Sequence, residues 1–147
     1  YLYIKNDQLG VHKDNEKIIK VIAGKFENAE GPEKGHNVDP IYFHVVLERD
    51  KEFKCDVPGG HNSFIYLLAG DLSVGKNKHD KTNNSNLILL DRGDKLIVKA
   101  NKKSEFLFIA GKPIGETIAR GGPFVMNTKA EILQAVQDYH NGTFAKY

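Results

Sequence analysis

The sequence contains one cysteine, Cys55, and carries a net charge of only +2. A single cysteine excludes an internal disulfide and a cysteine-rich zinc site, and it favours a reducing compartment. Because the lysines are scattered rather than clustered, the chain lacks the basic patch of a nucleic-acid-binding protein. It has no apolar run long enough to span a bilayer, and we expect no signal peptide. We therefore predict an intracellular protein, cytoplasmic or nuclear, that binds neither nucleic acid nor membrane directly.

What the sequence does contain is a series of short β-branched and aromatic runs, separated by Gly or Asp at nearly every junction. Many short strands at regular spacing are typical of an antiparallel barrel or sandwich. The segment 27–40 has no periodicity, and the Lys- and Asn-rich segment 76–86 is predicted to be a solvated hairpin loop. The predicted strands cover residues 18–23, 41–47, 64–69, 72–74, 87–90, 96–98 and 106–110.

The last part of the chain is predicted to form one helix over residues 129–141. Thr128 and Glu131 form a T-x-x-E capping box at its start, and Gly142 stands where the helix is expected to stop. Apolar residues at helical spacing predict a stripe that packs against a core. The stripe consists of Ile132, Ala135, Val136 and Tyr139.

The sequence has no motif of established chemistry: no G-x-S-x-G elbow, no P-loop and no pair of histidines at ligand spacing. We interpret its histidines as isolated surface or core residues. One alternative stays open, in which His44 and His61 meet inside a barrel as half of a non-standard metal site. The histidines are His12, His36, His44, His61, His79 and His140.

Several short motifs, taken in this order, resemble the C-terminal domain of pirin and the pirin-like proteins, a branch of the cupin superfamily. The resemblance extends over most of the chain. Its most distinctive motif is Gly122-Pro123-Phe124-Val125-Met126-Asn127-Thr128 near the end. The other motifs are Val21-Ile22-Ala23-Gly24, Pro58-Gly59-Gly60-His61-Asn62-Ser63-Phe64-Ile65-Tyr66, Phe106-Leu107-Phe108-Ile109-Ala110-Gly111-Lys112-Pro113-Ile114 and Gly115-Glu116-Thr117-Ile118.

The resemblance implies an all-β fold with a C-terminal helix, namely an antiparallel cupin-type β-barrel (a double-stranded β-helix, or jelly roll). It implies that residues 1–147 form a single C-terminal domain. In that family an N-terminal cupin domain holds an iron-type metal with three His and one Glu. Because the chain begins at Tyr1 rather than Met, we expect it to be part of a longer polypeptide that includes such a domain.

Metal-binding cupins carry their ligands in two sequence blocks, a His-x-His pair with a Glu and then a further His. Counted back from Gly70, the Glu position is Ser63 and the His-x-His positions fall on residues 56–58, none of which is His. The second block, residues 93–104, also lacks His. Iron sites need imidazole and carboxylate ligands. We therefore predict no metal, no cofactor and no catalytic residue in this chain.

The function implied by the resemblance is support of the iron-binding N-terminal cupin domain and supply of interaction surface. A transcription factor is the further partner implied, since pirin is a transcription co-regulator. The alternative is a quercetin 2,3-dioxygenase-type enzyme whose metal site lies in the N-terminal half. A free-standing cupin that binds a small molecule is a third possibility.

The segment Pro123, Phe124, Val125, Met126 and Asn127 is predicted to be a structural or domain-interface element. Three consecutive apolar side chains cannot all face one side of a strand, so they need cover from two directions. Just before this segment, the pair Arg120-Gly121 departs from the aromatic-containing form that the family resemblance leads us to expect.

Overall fold

The computed structural model describes residues 3–33, 37–75, 81–82 and 86–145. The chain divides into two compact units, one within Tyr1–Pro113 and the other within Ile114–Tyr147. His36, His79 and most of the predicted loop 76–86 lie outside the described residues. After a short 3-10 turn at Asn6–Gln8, the elements are β1 (Gly10–Lys13), β2 (Lys17–Ala23), β3 (Lys25–Phe26), β4 (Ala29–Glu30), β5 (Ile41–Leu47), β6 (Glu52–Asp56), β7 (Asn62–Ala69), β8 (Leu72–Val74), β9 (Lys81–Thr82), β10 (Leu87–Leu90), β11 (Lys95–Ala100), β12 (Ser104–Gly111), β13 (Ala119–Gly121), β14 (Phe124–Met126) and α1 (Lys129–His140).

Two antiparallel sheets pack against each other in the first unit. The larger sheet has the strand order β1-β2-β5-β12-β7-β10, and the smaller has the order β6-β11-β8-β9. Strand β5 shows why these sequences form a sandwich of two sheets, because Phe43, Val45 and Leu47 are buried while the residues between them are only partly buried. Side chains alternate between the two faces of a strand, so one face of each sheet supplies the core.

The core between the sheets is built around phenylalanine rings. Phe53 of the smaller sheet is fully buried, and its ring centroid lies 5.7 Å from that of Phe106 and 6.2 Å from that of Phe108, both on β12. Phe26 of the short β3–β4 hairpin stacks on Phe53 at 5.7 Å, and its ring meets that of Phe43 on β5 edge-on. The barrel is therefore packed with side chains at this level, as protein interiors generally are.

The turn from β7 to β8 takes the chain from the larger sheet to the smaller one. Gly70 has a φ of 104°, and a Cβ at this position would lie 2.6 Å from Ser104 Cα. The Ser104 hydroxyl accepts a hydrogen bond from the Asp71 backbone N–H at 3.0 Å and donates one to the Lys102 carbonyl at 2.7 Å. The turn is thus held against the start of β12, which fixes the two sheets at this corner.

The second unit is a hairpin followed by the helix. Gly122, with a φ of 55°, and Pro123 form the turn between β13 and β14. The predicted capping box is confirmed: the Glu131 N–H donates to Thr128 Oγ1 at 3.2 Å, and the Thr128 N–H donates to Glu131 Oε2 at 2.7 Å. Helix α1 ends at His140, one residue before the predicted end.

The mostly-β architecture with a C-terminal helix agrees with the sequence-based prediction. Strands β5, β8 and β10 have the predicted limits, and the other predicted strands are longer by one or two residues at one or both ends. Strands β1, β6, β13 and β14 were not predicted, and β3 and β4 form a hairpin at the start of the segment without periodicity. These strands are short and mostly exposed, so their apolar pattern is too brief to be recognised. Strand β9 lies within the predicted loop 76–86.

Candidate functional site

An open cavity of about 270 Å³ lies at one end of the barrel, between the two sheets. Ser63 of β7 and Ile88 and Leu90 of β10 line it from the larger sheet, while Val74 of β8 and Leu96 of β11 line it from the smaller. Ile88 is paired with the fully buried Ile65, so these positions face inward. We call this cavity the barrel mouth.

Of the cupin ligand positions, Val57 and Ser63 line the barrel mouth, whereas Asp56 and Pro58 line a second cavity. Ser63, at the Glu position, offers a neutral hydroxyl. At the His-x-His positions the Asp56 side chain is 90% exposed and lies 3.8 Å from Lys95 Nζ, and Pro58 has no ligand atom. Within the described residues, no three His, Cys, Asp or Glu side chains are grouped so that they could hold a metal ion. These residues therefore do not fit an iron-type ion.

His44 and His61 do not form half of a metal site. His44 lies on the outer face of the larger sheet, where its Nε2 is 2.6 Å from Glu105 Oε1. His61 is buried, and its Nε2 donates to the Asp39 carbonyl at 3.0 Å. The alternation of β5 places His44 on the face opposite the core, so the two imidazoles cannot meet inside the barrel.

His12 does not pair with another histidine, but it has two carboxylate neighbours that the sequence did not indicate. Its two ring nitrogens lie 3.2 Å from Asp14 Oδ2 and 3.1 Å from Glu27 Oε2, and its ring packs edge-on against Phe26. The pKa of Asp14 is strongly lowered, first by the hydrogen bond from the Glu16 N–H. This arrangement ties the start of β2 to the β3–β4 hairpin, and it is a structural contact.

The predicted interface segment 123–127 belongs to the second unit. The Phe124 ring is partly buried and contacts the rings of Tyr139, at 6.1 Å between centroids, and Phe144, at 5.0 Å. Val125 points outward and is 61% exposed, and Met126 is partly buried. The alternation along β14 thus places Phe124 and Met126 on one side of the hairpin and Val125 on the other.

Asn127 joins the hairpin to the helix. Its Nδ2 donates to Glu116 Oε2 at 2.8 Å and to the Thr117 carbonyl at 3.0 Å. Its backbone N–H donates to Glu131 Oε2 at 3.2 Å, beside the capping box. Asn127 therefore has a structural role in these contacts, because its hydrogen bonds fix the residue at which α1 begins.

The apolar stripe of α1 is only partly buried. Ile132 and Ala135 are buried, but Tyr139 is 66% exposed, so the prediction that the whole stripe packs in a core is wrong for Tyr139. Gly121 of β13 explains part of the packing, because a Cβ there would overlap Ile132 Cγ2. The pair Arg120-Gly121 thus leaves room for an isoleucine where the family resemblance led us to expect an aromatic residue nearby.

The pirin C-terminal cupin domain family matches residues 42–145 of this sequence. The chain belongs to that family. Among its relatives, a putative quercetin 2,3-dioxygenase of Pseudomonas aeruginosa is 35% identical over 87% of this chain and 44% of that protein. The pirin-like protein of Caulobacter vibrioides is 34% identical over 98% of this chain and 52% of its own length. Human pirin is 31% identical over 96% and 49%, respectively.

Solved structures agree with this membership. A quercetin 2,3-dioxygenase from Acinetobacter baumannii matches 97% of this chain and 50% of its own, with a TM-score of 0.83 and 28% identity. The predicted pirin resemblance and cupin-type fold are thereby confirmed. The pirin-family chain described here spans about half the length of the curated relatives it matches. Among its described residues, no helix combines the length and apolarity needed to cross a bilayer.

Proposed function

We propose that this chain is the C-terminal, metal-free half of a pirin-like protein with two cupin barrels, and that it supports a metal-binding N-terminal half. The observation that carries the proposal is an apolar area on the outer face of the larger sheet, opposite the core. We call it the outer patch. It consists of Phe64, Tyr66 and Leu68 on β7, Leu87 and Leu89 on β10, and Leu107 and Ile109 on β12.

The register of the strands makes the outer patch continuous. Leu107 pairs with Tyr66, which pairs with Leu87, and this row crosses three strands. A second row of Ile109, Phe64 and Leu89 runs beside the first. Leu89 is 77% exposed and Leu87 is 57% exposed. Side chains directly opposite each other on neighbouring strands are close enough to touch, so both rows form one surface.

An exposed apolar surface of this kind requires an explanation. The outer face of an antiparallel sheet in contact with water normally carries polar side chains. The other part of this face follows that rule, because Lys20 Nζ donates to Asn6 Oδ1 at 2.9 Å and His44 is bound to Glu105. Contiguous apolar patches on folded proteins often mark interaction sites, and contact with another protein element is one such case.

The occupant we assign to the outer patch is the N-terminal cupin half. The relatives are about twice as long as this chain, so a second segment of similar size is available to cover it. In this proposal the iron-type metal belongs to the N-terminal half, since residues 56–58 and Ser63 do not fit one. Because the chain resembles pirin, we further propose that a transcription factor binds the assembled protein. In that complex the assembled protein acts as a transcription co-regulator.

The test compares this chain with the longer polypeptide that includes an N-terminal cupin half. Leu89→Lys should leave the melting temperature of the chain alone nearly unchanged, because Leu89 is largely exposed there. In the longer polypeptide the same change buries an unpaired ammonium group, and it should cost several kcal/mol, on the order of 3–5 kcal/mol. The control is Val11→Lys on β1, which is 51% exposed and lies outside the outer patch. Equal, small effects of both variants in the longer polypeptide would contradict the assigned occupant.

A second candidate is an enzyme of the quercetin 2,3-dioxygenase type, and the observation that favours it is the name of several relatives and of the Acinetobacter structure. In that case the metal and the chemistry belong to the N-terminal half. The longer polypeptide should consume dioxygen with quercetin, whereas this chain alone should not, before or after treatment with a chelator. Elemental analysis of the untagged chain should find well under one metal ion per molecule.

A further inference from the structure

Aliphatic side chains from both sheets form part of the walls of the barrel mouth. Ile88 and Leu90 on one side and Val74 on the other pack against the phenylalanine core with part of their surface. Val57 and Leu96, which also line it, are buried. Mouths of β-barrels are among the preferred positions for small-molecule sites, which are mostly apolar with few polar groups.

The only hydroxyl among the residues that line the barrel mouth in the described part of the chain is that of Ser63. Ser63 lies at the start of β7, on the inward face that continues to Ile65. A serine hydroxyl can both donate and accept a hydrogen bond. It therefore offers one uncharged hydrogen-bonding group between the aliphatic side chains of the two walls.

The rim carries charges of both signs. Lys95 and Asp91 line the opening, and Lys95 Nζ lies 3.8 Å from Asp56 Oδ1. This mixture gives no net preference for an anion or a cation, so the ligand that fits best is neutral. The cavity volume of about 270 Å³ holds about 150–200 Å³ of ligand atoms at packing densities between those of liquids and protein interiors. That is the size of a compound with two fused aromatic rings.

We infer that the barrel mouth binds a small, flat, neutral aromatic molecule that carries a hydroxyl group, with its rings against Ile88, Leu90 and Leu96 and its hydroxyl on Ser63. This function is separate from the support of an N-terminal half, and it does not depend on that proposal. Of the cupin metal positions, those that line the barrel mouth are Val57, which is apolar, and Ser63, which offers the hydroxyl.

The test uses 2-naphthol as the probe and calorimetric titration of the chain. We expect saturable binding of one molecule per chain. Ile88→Trp fills the barrel mouth and should lower the affinity at least tenfold. The matched control is Leu87→Trp, one residue earlier on β10 with its side chain on the opposite face of the sheet, and it should change the affinity less than twofold. Circular dichroism melts establish that both variants are folded.

The role of the hydroxyl is tested with Ser63→Ala and two probes. The substitution should weaken 2-naphthol about three- to tenfold, as expected for the loss of one hydrogen bond, and should leave naphthalene unchanged. An equal effect on both probes would refute the assignment of Ser63.

A measurement on the unsubstituted chain avoids any folding defect in the variants. Two-dimensional amide spectra should show that 2-naphthol shifts the signals of Ser63, Ile88 and Leu96. Shifts concentrated at Leu107 and Ile109 would place the probe on the outer patch, and shifts that never saturate would mean nonspecific binding. Either result overturns the inference.

Discussion

Replacing Phe53 by Ala is the most direct test of the view that the barrel interior is a packed aromatic core. Its side chain is fully buried, and its ring contacts those of Phe26, Phe106 and Phe108 at centroid distances of 5.7, 5.7 and 6.2 Å. Removing a buried phenylalanine ring costs about 3–5 kcal/mol. Each aromatic pair adds about 0.5–1.5 kcal/mol beyond the area it buries. We therefore expect a loss at the upper end, about 4–5 kcal/mol.

The assay is urea unfolding followed by far-ultraviolet circular dichroism. A domain of this size has a total stability of about 5–15 kcal/mol, so Phe53→Ala should remove roughly a third or more of it. Phe53→Leu, which restores most of the volume, should cost only about 1–2 kcal/mol. Leu89→Ala, on the exposed outer patch, is the control and should stay within about 0.5 kcal/mol. A loss below about 2 kcal/mol for Phe53→Ala would refute the packed-core reasoning.

Three further predictions concern the second unit and the single cysteine. Phe124→Ala should lower the free energy of unfolding, from thermal melts of the chain, by only about 1–2 kcal/mol, because the ring is partly buried. A loss above about 3 kcal/mol would mean that the ring is buried more deeply. Hydrogen bonds from the Thr128 side chain and N–H lower the pKa of Glu131 below its ordinary value of 4.5. The ionised Glu131 therefore stabilises the folded chain above pH 4.5, and this contribution is lost as the pH falls further. Helicity should therefore fall less steeply on acidification in Glu131→Gln, and identical titration curves would contradict this. Burial, and then the charge of Asp56, raises the pKa of Cys55 from 9.0 to about 11. Because the thiolate is the reactive form, iodoacetamide should label the folded chain at pH 8 roughly a hundredfold more slowly than the urea-unfolded chain. Equal labelling rates would exclude the pKa shift.

Elements specified by local sequence were predicted well. Strand β5 has a long β-branched and aromatic run, and the cap of α1 depends only on Thr128 and Glu131, three residues apart. Strands β1 and β6 were missed because each contributes few apolar side chains, and pairing with longer neighbours stabilises them. The predicted stripe of α1 was wrong at Tyr139, since helical spacing identifies which side chains share a face but not how far a partner surface extends.

The candidate site likewise has one part that could be predicted from the sequence and one part that could not. The lack of metal ligands at residues 56–58 and at Ser63 could be read by counting positions along the chain. The barrel mouth could not be predicted from the sequence, because Ser63, Ile88 and Leu96 come from three strands and two sheets and no local sequence pattern connects them. The contacts of His12 with Asp14 and Glu27 likewise depend on how the β3–β4 hairpin folds back.

The corner at Gly70 has a consequence for how this sequence can change over generations. Every amino-acid replacement of a glycine adds a Cβ, and here that atom meets the backbone of Ser104 while the φ of 104° already disfavours any other residue. Neither conflict can be relieved by a compensating change of side chain, because the neighbouring atom at 2.6 Å is Ser104 Cα, which every amino acid has. A codon change that replaces Gly70 therefore introduces a side chain for which the backbone leaves no room. The constraint at this corner therefore falls on a residue without a side chain, at a turn rather than in the core.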